Sequence, residues 1–143
     1  IKPKFDPATA LKNGMAMDVW RKMIKAQGGD NDAPLPVAKE KIEITANSSG
    51  KLLTLDAMKV GVAAWRLGAG RQKQGEVLQL GAGIEIHAKP GDIVKAGDKV
   101  LTLHSDESAR FDRAKEALVD AFSIGGKDDQ VNRLPLVIER IEG

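Results

Sequence analysis

The sequence predicts an α+β domain of roughly a hundred residues, preceded by a short helical piece. Three observations carry this. Residues Gly83 to Leu103, GIEIHAKPGDIVKAGDKVLTL, alternate short apolar strands with Gly-Asp corners. Two more alternating stretches lie upstream, at Lys41–Thr45 and Lys51–Leu55. Helical apolar stripes stand between and after these strands. The predicted order is strand, strand, helix, short strands, helix, strand.

Asp6-Pro7 reads as a helix start, with Asp as cap and Pro at the first helical position, where its missing N–H costs nothing. This helix stops at Asn13-Gly14. A second runs from about Met15 to Gln27, with Val19, Trp20, Met23 and Ile24 on one face. Arg21, Lys22 and Lys25 lie on the other side, and the last two suit the negative end of the helix dipole. Gly28-Gly29-Asp30 ends it. Asn31 to Pro36, with two prolines, reads as an extended linker and domain boundary. Two such helices cannot bury their apolar face alone. Residues 1–36 are therefore expected to be the end of a preceding domain, and residues 37–143 a domain of their own. A start at Ile1 without Met fits a fragment of a longer chain.

Lys41–Thr45 and Lys51–Leu55, joined by the turn cluster Asn47-Ser48-Ser49-Gly50, read as a hairpin. Asp56 caps a helix from Ala57 to about Leu67, striped by Ala57, Val60, Ala64 and Leu67, with Gly61 expected to allow close helix–sheet contact. Gly68 to Gly75 is a polar, flexible loop. Within Gly83–Leu103, Ile84 and Ile86 point one way and Glu85 and His87 the other, the period of a half-buried strand. Pro90-Gly91-Asp92 and Gly97-Asp98 are turns, around the short strand Asp92–Val94, and Lys99–Leu103 is a strand. Such strands and corners resemble the β-hammerhead of barrel-sandwich domains, the core of biotinyl and lipoyl carriers. Ser105, Asp106 and Glu107 begin a long helix with the stripe Phe111, Ala114, Leu118, Ala121 and Phe122, ended by Gly125-Gly126. Leu134–Ile141 is the last strand, with Pro135 favouring an edge or an end.

Composition narrows the function classes. The 143 residues contain no cysteine, which removes disulfide and thiolate chemistry. No apolar run approaches the ~20 residues of a membrane span, and the first residues lack a signal peptide's apolar core. A cytoplasmic protein without membrane contact is expected. The net charge of +2 is spread over interspersed acids and bases, and three Phe, two Trp and no Tyr offer few stacking platforms. A nucleic-acid partner is not expected.

Three groups qualify as candidate sites. Asp56-Ala57-Met58-Lys59-Val60 resembles the biotinylation motif of biotin carriers, so Lys59 would be the attachment point of a non-catalytic carrier module. The Gly-Asp segment lies downstream of Lys59 rather than upstream, however, and Val60 to Trp65 continue as a helix; an ordinary capped helix is the plainer reading. The loop Gly68 to Gly75, with Gly68, Gly70, Arg71 and Lys73, could cradle a phosphate through backbone N–H groups and a cation, but lacks the Gly-Lys-Ser/Thr of a P-loop. A solvated loop competes with that reading. His87 and His104, with no carboxylate or cysteine cluster beside them in sequence, make a poor metal site. No nucleophile elbow or meaningful carboxylate pair stands out.

Several segments in order are similar to the C-terminal part of the pyrimidine nucleoside phosphorylases. They are Asn13-Gly14 with Met23-Ile24-Lys25-Ala26-Gln27-Gly28-Gly29-Asp30, Leu55-Asp56-Ala57 with Gly61, Leu67-Gly68-Ala69-Gly70-Arg71, Gly81-Ala82-Gly83-Ile84, and Gly91-Asp92 with Val94 and Gly97. The likeness covers nearly the whole chain. It implies a homodimeric pentosyltransferase built from an α-helical domain, a phosphate-binding α/β domain and this α+β domain. The reaction it implies is cleavage of the N-glycosidic bond of a pyrimidine nucleoside by inorganic phosphate, with no other cofactor; the weaker alternative is a nucleotide phosphorylase acting on a nucleoside 5′-monophosphate. The family's base- and phosphate-binding residues lie upstream of the matched region. The resemblance therefore assigns no catalytic or substrate-binding residue here. It places Gly68, Gly70, Arg71 and Lys73 on a loop toward the mouth of the cleft, with a supporting role for Arg71 in closure. The missing N-terminal domains are the implied partners.

Overall fold

A computed structural model describes residues 6–71, 73–131, 135 and 137–141. The chain divides into two compact units, Ile1–Leu35 and Pro36–Gly143.

The first unit holds helices α1 (Pro7–Lys12) and α2 (Met15–Ala26). The Asp6 carboxylate accepts the N–H groups of Ala8 and Thr9 at 3.3 and 3.1 Å, satisfying donors that a helix start leaves free. Between the helices the Asn13 side chain accepts from Met15 N at 3.1 Å. α2 buries no residue within its unit. Val19, Trp20 and Met23 are 66%, 43% and 47% exposed.

The second unit is α+β, with two small antiparallel sheets around one core. Its strands are β1 (Glu40–Thr45), β2 (Gly50–Leu55), β3 (Gly83–Ile86), β4 (Ile93–Val94), β5 (Lys99–Ser105) and β6 (Phe122–Gly125), and its helices α3 (Ala57–Ala64) and α4 (Arg110–Ala117). One sheet runs β1-β5-β3 and the other β4-β2-β6. Leu52, Leu67, Val100, Leu101, Leu103 and Ala114 are fully buried in a shared cluster. No described helix is long and apolar enough to cross a membrane.

The corners of Gly83–Leu103 form as the sequence predicts. Asp92 Oδ2 accepts from Lys89 N and Asp98 Oδ2 from Lys95 N, each at 2.8 Å. The backbone N–H groups of the same two aspartates donate back to the lysine carbonyls at 2.9 Å. Gly91 and Gly97, at φ +106° and +89°, take the left-handed position such a turn requires.

Other expectations are corrected. β1 and β2 do not form a hairpin: β1 pairs with β5 and β2 with β4 and β6. The residues between them cross from one sheet to the other, held where Ala46 N donates to Asp98 O and Gly97 N to Ala46 O, both at 2.8 Å. The helix after Asp56 is regular only to Ala64, then widens into a π-helical turn, Trp65–Ala69. Its buried stripe is Ala63 and Leu67 with Val60 half-buried, while Ala57 is exposed. Gly61 makes no close contact, for a Cβ there would meet open space. Ser105 ends β5 rather than starting a helix, and α4 covers only Arg110–Ala117. Asp120, at φ +54°, breaks the helical path, and Phe122–Gly125 becomes a strand beside β2. In the predicted last strand, Leu134 and Leu136 lie outside the described residues. Pro135 and residues 137–141 are in no strand, and Val137, Ile138 and Ile141 are 71%, 92% and 86% exposed.

Candidate functional site

The loop at Gly68–Gly75 grows from the π-helical turn after α3. Gly68 is buried at φ +110°, a conformation that only glycine adopts without strain. Its carbonyl accepts from Gln79 N at 3.1 Å, which brings the two roots of the loop together. Trp65 Nε1 donates to Arg71 O at 3.0 Å, and the indole lies against Gly70, where a Cβ would fall 2.6 Å from Trp65 Cδ1. The two glycines thus serve packing: one admits the turn, the other the indole. The side chains of Arg71 and Lys73 are exposed. An open hollow of about 660 Å³ is lined by Arg71, Gln74, Gly75, Glu76, Leu78 and neighbouring residues. It presents a guanidinium to solvent beside apolar side chains.

A polar network ties this loop to the β5–α4 turn. Gln79 Oε1 accepts from Asp106 N at 2.8 Å, and Gln79 Nε2 donates to Glu107 Oε1 at 2.5 Å. The buried Ser105 hydroxyl donates to Leu67 O at 2.8 Å and accepts from Glu107 N at 3.2 Å. Arg110 Nη2 lies 3.1 Å from Glu107 Oε1 and 3.6 Å from Glu76 Oε1. Hydrogen bonding to Glu107 pushes the Arg110 guanidinium above its ordinary pKa. Sequence reasoning missed Trp65, Gln79 and Arg110, whose partners cannot be read from local pattern.

Lys59 stands at the start of α3, where the Asp56 carboxylate accepts from Met58 N and Lys59 N at 2.9 and 3.0 Å. Its ammonium donates to Val119 O at 2.8 Å and to Asp120 O at 3.3 Å, capping carbonyls just past α4. The two histidines share a single carboxylate neighbour, Glu85. Strand register sets Gly83 opposite His104 and Glu85 opposite Thr102. Glu85 Oε2 then lies 3.8 Å from His87 Nε2 and 3.7 Å from His104 Nε2. His87 Nε2 also shares a 2.7 Å hydrogen bond with Thr102 Oγ1. Among the described residues no group of His, Cys, Asp or Glu is arranged to hold a metal ion. On the same sheet Lys99 lies 2.5 Å from Glu43 and holds that carboxyl below the usual range.

The second unit is thus a small α+β domain with exposed cations on an anchored loop. The family described as pyrimidine nucleoside phosphorylase C-terminal domain matches residues 52–125. Thymidine phosphorylase of Mycobacterium tuberculosis (strain H37Rv) is 44% identical over 136 residues, covering 95% of this chain and 31% of that protein. The pyrimidine-nucleoside phosphorylase of Staphylococcus haemolyticus is 43% identical over 102 residues, 68% of this chain and 24% of its own. That of Geobacillus stearothermophilus is 33% identical over 130 residues, 87% and 30%. The chain spans under a third of the length of these relatives. It belongs to the pyrimidine nucleoside phosphorylase family, over that family's C-terminal domain.

Proposed function

We propose that this chain is the C-terminal α+β domain, with the last helices of the domain before it in residues 1–36, of a pyrimidine nucleoside phosphorylase. The full-length enzyme would be a homodimeric pentosyltransferase of nucleoside salvage, acting in the cytoplasm. It would cleave a pyrimidine nucleoside such as thymidine with inorganic phosphate, giving the free base and a (deoxy)ribose 1-phosphate. The observation that carries this is likeness to a thymidine phosphorylase along 95% of the chain. The two sheets sharing one core, with paired Gly-Asp corners, support a hammerhead of barrel-sandwich type. A carrier role at Lys59 gains nothing from the geometry, because its ammonium is engaged by two carbonyls.

The chain by itself is expected to be inactive. The family resemblance assigns no phosphate-binding residue and no general acid to this chain. Purified protein mixed with thymidine and phosphate should release no thymine; phosphate-dependent release above the blank would overturn the reading.

Its contribution to the whole enzyme would come through the loop at Gly68–Gly75. Closing a cleft brings base- and phosphate-binding groups together around substrate, and loops at the mouth gate that motion. A guanidinium that pairs with a carboxylate only in the closed state helps the transition state more than the open ground state. Arg71→Ala in the full-length enzyme should therefore lower kcat about tenfold, equivalent to ~1.4 kcal/mol. Stability should change by about 0.5 kcal/mol or less, since the side chain is exposed. Steady-state kinetics and a melting curve on one preparation decide it, and unchanged turnover at unchanged Tm would remove Arg71 from the mechanism.

A further inference from the structure

We propose that Gln79 is the positioning residue of the loop, a latch that holds its root closed against the β5–α4 turn. One residue joins three segments. Its backbone N–H reaches back to Gly68 O at 3.1 Å, its carbonyl accepts from Ala82 N at 3.0 Å, and its side chain reaches across to Asp106 and Glu107. The amide orientation is fixed by its partners: an N–H points at the oxygen and a carboxylate at the nitrogen. The bond to Glu107 has an ionised acceptor, which makes it one of the stronger kind. Gln79 also packs over Gly68, where a Cβ would lie 2.9 Å from its Cδ. Glu107 is held in turn by Arg110, whose second carboxylate neighbour is Glu76, the residue that follows the loop. The side chain of Gln79 thus closes the loop from its C-terminal root, while Trp65 holds Arg71 from the other.

The inference deepens the cleft-loop reading and takes its functional meaning from it. Its test is local. Native-state trypsin digestion of the 143-residue chain, mapped by mass, compares cleavage after Arg71 and Lys73 with cleavage after Lys95 and Lys99, which sit in the second hydrogen-bonded corner and at the start of β5. Gln79→Ala should speed cleavage after Arg71 and Lys73 tenfold or more and change cleavage after Lys95 and Lys99 less than twofold. Gln79→Glu keeps the shape but sets a second carboxylate against Glu107, and should release the loop as well at pH 8. Combining Gln79→Glu with Glu107→Gln exchanges donor and acceptor and should restore protection. Acceleration at all four positions together, no acceleration at any, or no rescue in the double variant overturns the latch. A released loop with unchanged kcat in the full-length enzyme leaves the latch standing and counts against the cleft reading alone.

Discussion

Replacing Leu52 by alanine is expected to destabilise the second unit by about 2–5 kcal/mol. Leu52 lies on β2, the central strand of its sheet, and is 0% exposed. Truncation removes buried methyl groups and leaves a cavity that closes only as far as the surroundings can move. Here they are pinned. Leu52 N donates to Asp92 O at 2.9 Å and Leu52 O accepts from Gly91 N at 2.8 Å, so the strand is locked to the Pro90–Asp92 corner. Natural domains are stable by only about 5–15 kcal/mol, so this is a large share of the total. Urea unfolding measures it, with Met58→Ala as control; Met58 is 75% exposed and its loss should stay within about 0.5 kcal/mol. A loss below about 1 kcal/mol at Leu52 would mean the core is looser than its packing implies.

Amide hydrogen exchange should separate the two units by about a thousandfold or more. Lone helices as short as α2, with 12 residues, are marginal in water. Helical stability in proteins comes from tertiary burial, and α2 buries no residue in its unit. Its amides should exchange nearly as fast as those of an unfolded chain. β5 is the middle strand of β1-β5-β3, with Val100, Leu101 and Leu103 fully buried. Its amides exchange only when the unit opens globally, at a cost of several kcal/mol. The measurement is made at dilute concentration with the mass in solution checked. Equal protection of Met15–Ala26 and Lys99–Ser105 in a monomer would refute the contrast; protection that rises with concentration would show the apolar face covered by a second copy.

The sequence spoke clearly where structure is local. The corners at Lys89–Asp92 and Lys95–Asp98 are decided within four residues by glycine's freedom and an aspartate that bonds its own turn. The Asp6 and Asp56 caps are equally local. What escaped was pairing. Nothing in Lys41–Thr45 states that its neighbour is β5 rather than β2, because two adjacent alternating strands satisfy a hairpin pattern whether or not they bond. β6 was hidden inside a helical stripe: Phe111, Ala114, Leu118 and Ala121 continue in period to Phe122, and Asp120 gives no sign of the left-handed turn it makes. Ser105 has the chemistry of a helix cap, but its hydroxyl donates to Leu67 O. In the candidate site the glycines and cations of Gly68–Gly75 were legible from composition. Trp65, Gln79 and Arg110 were not, since a lone glutamine or indole shows its use only against a partner brought near by the fold.

The exchange of partners between the sheets also governs how the chain can acquire its shape. β1 waits for β5 and β2 for β4 and β6, so neither strand has a neighbour to bond until Ile93–Val94 and Lys99–Ser105 are available, and the other edge of β2 waits for Phe122–Gly125. On a ribosome the first strands emerge long before their complements. Loop closure over such separations must occur before its contacts stabilise anything, which places this topology among slow folders. In the interval β1 and β2 present unpaired edges, and the alternation that makes each a good strand also makes it a template for a neighbouring nascent chain.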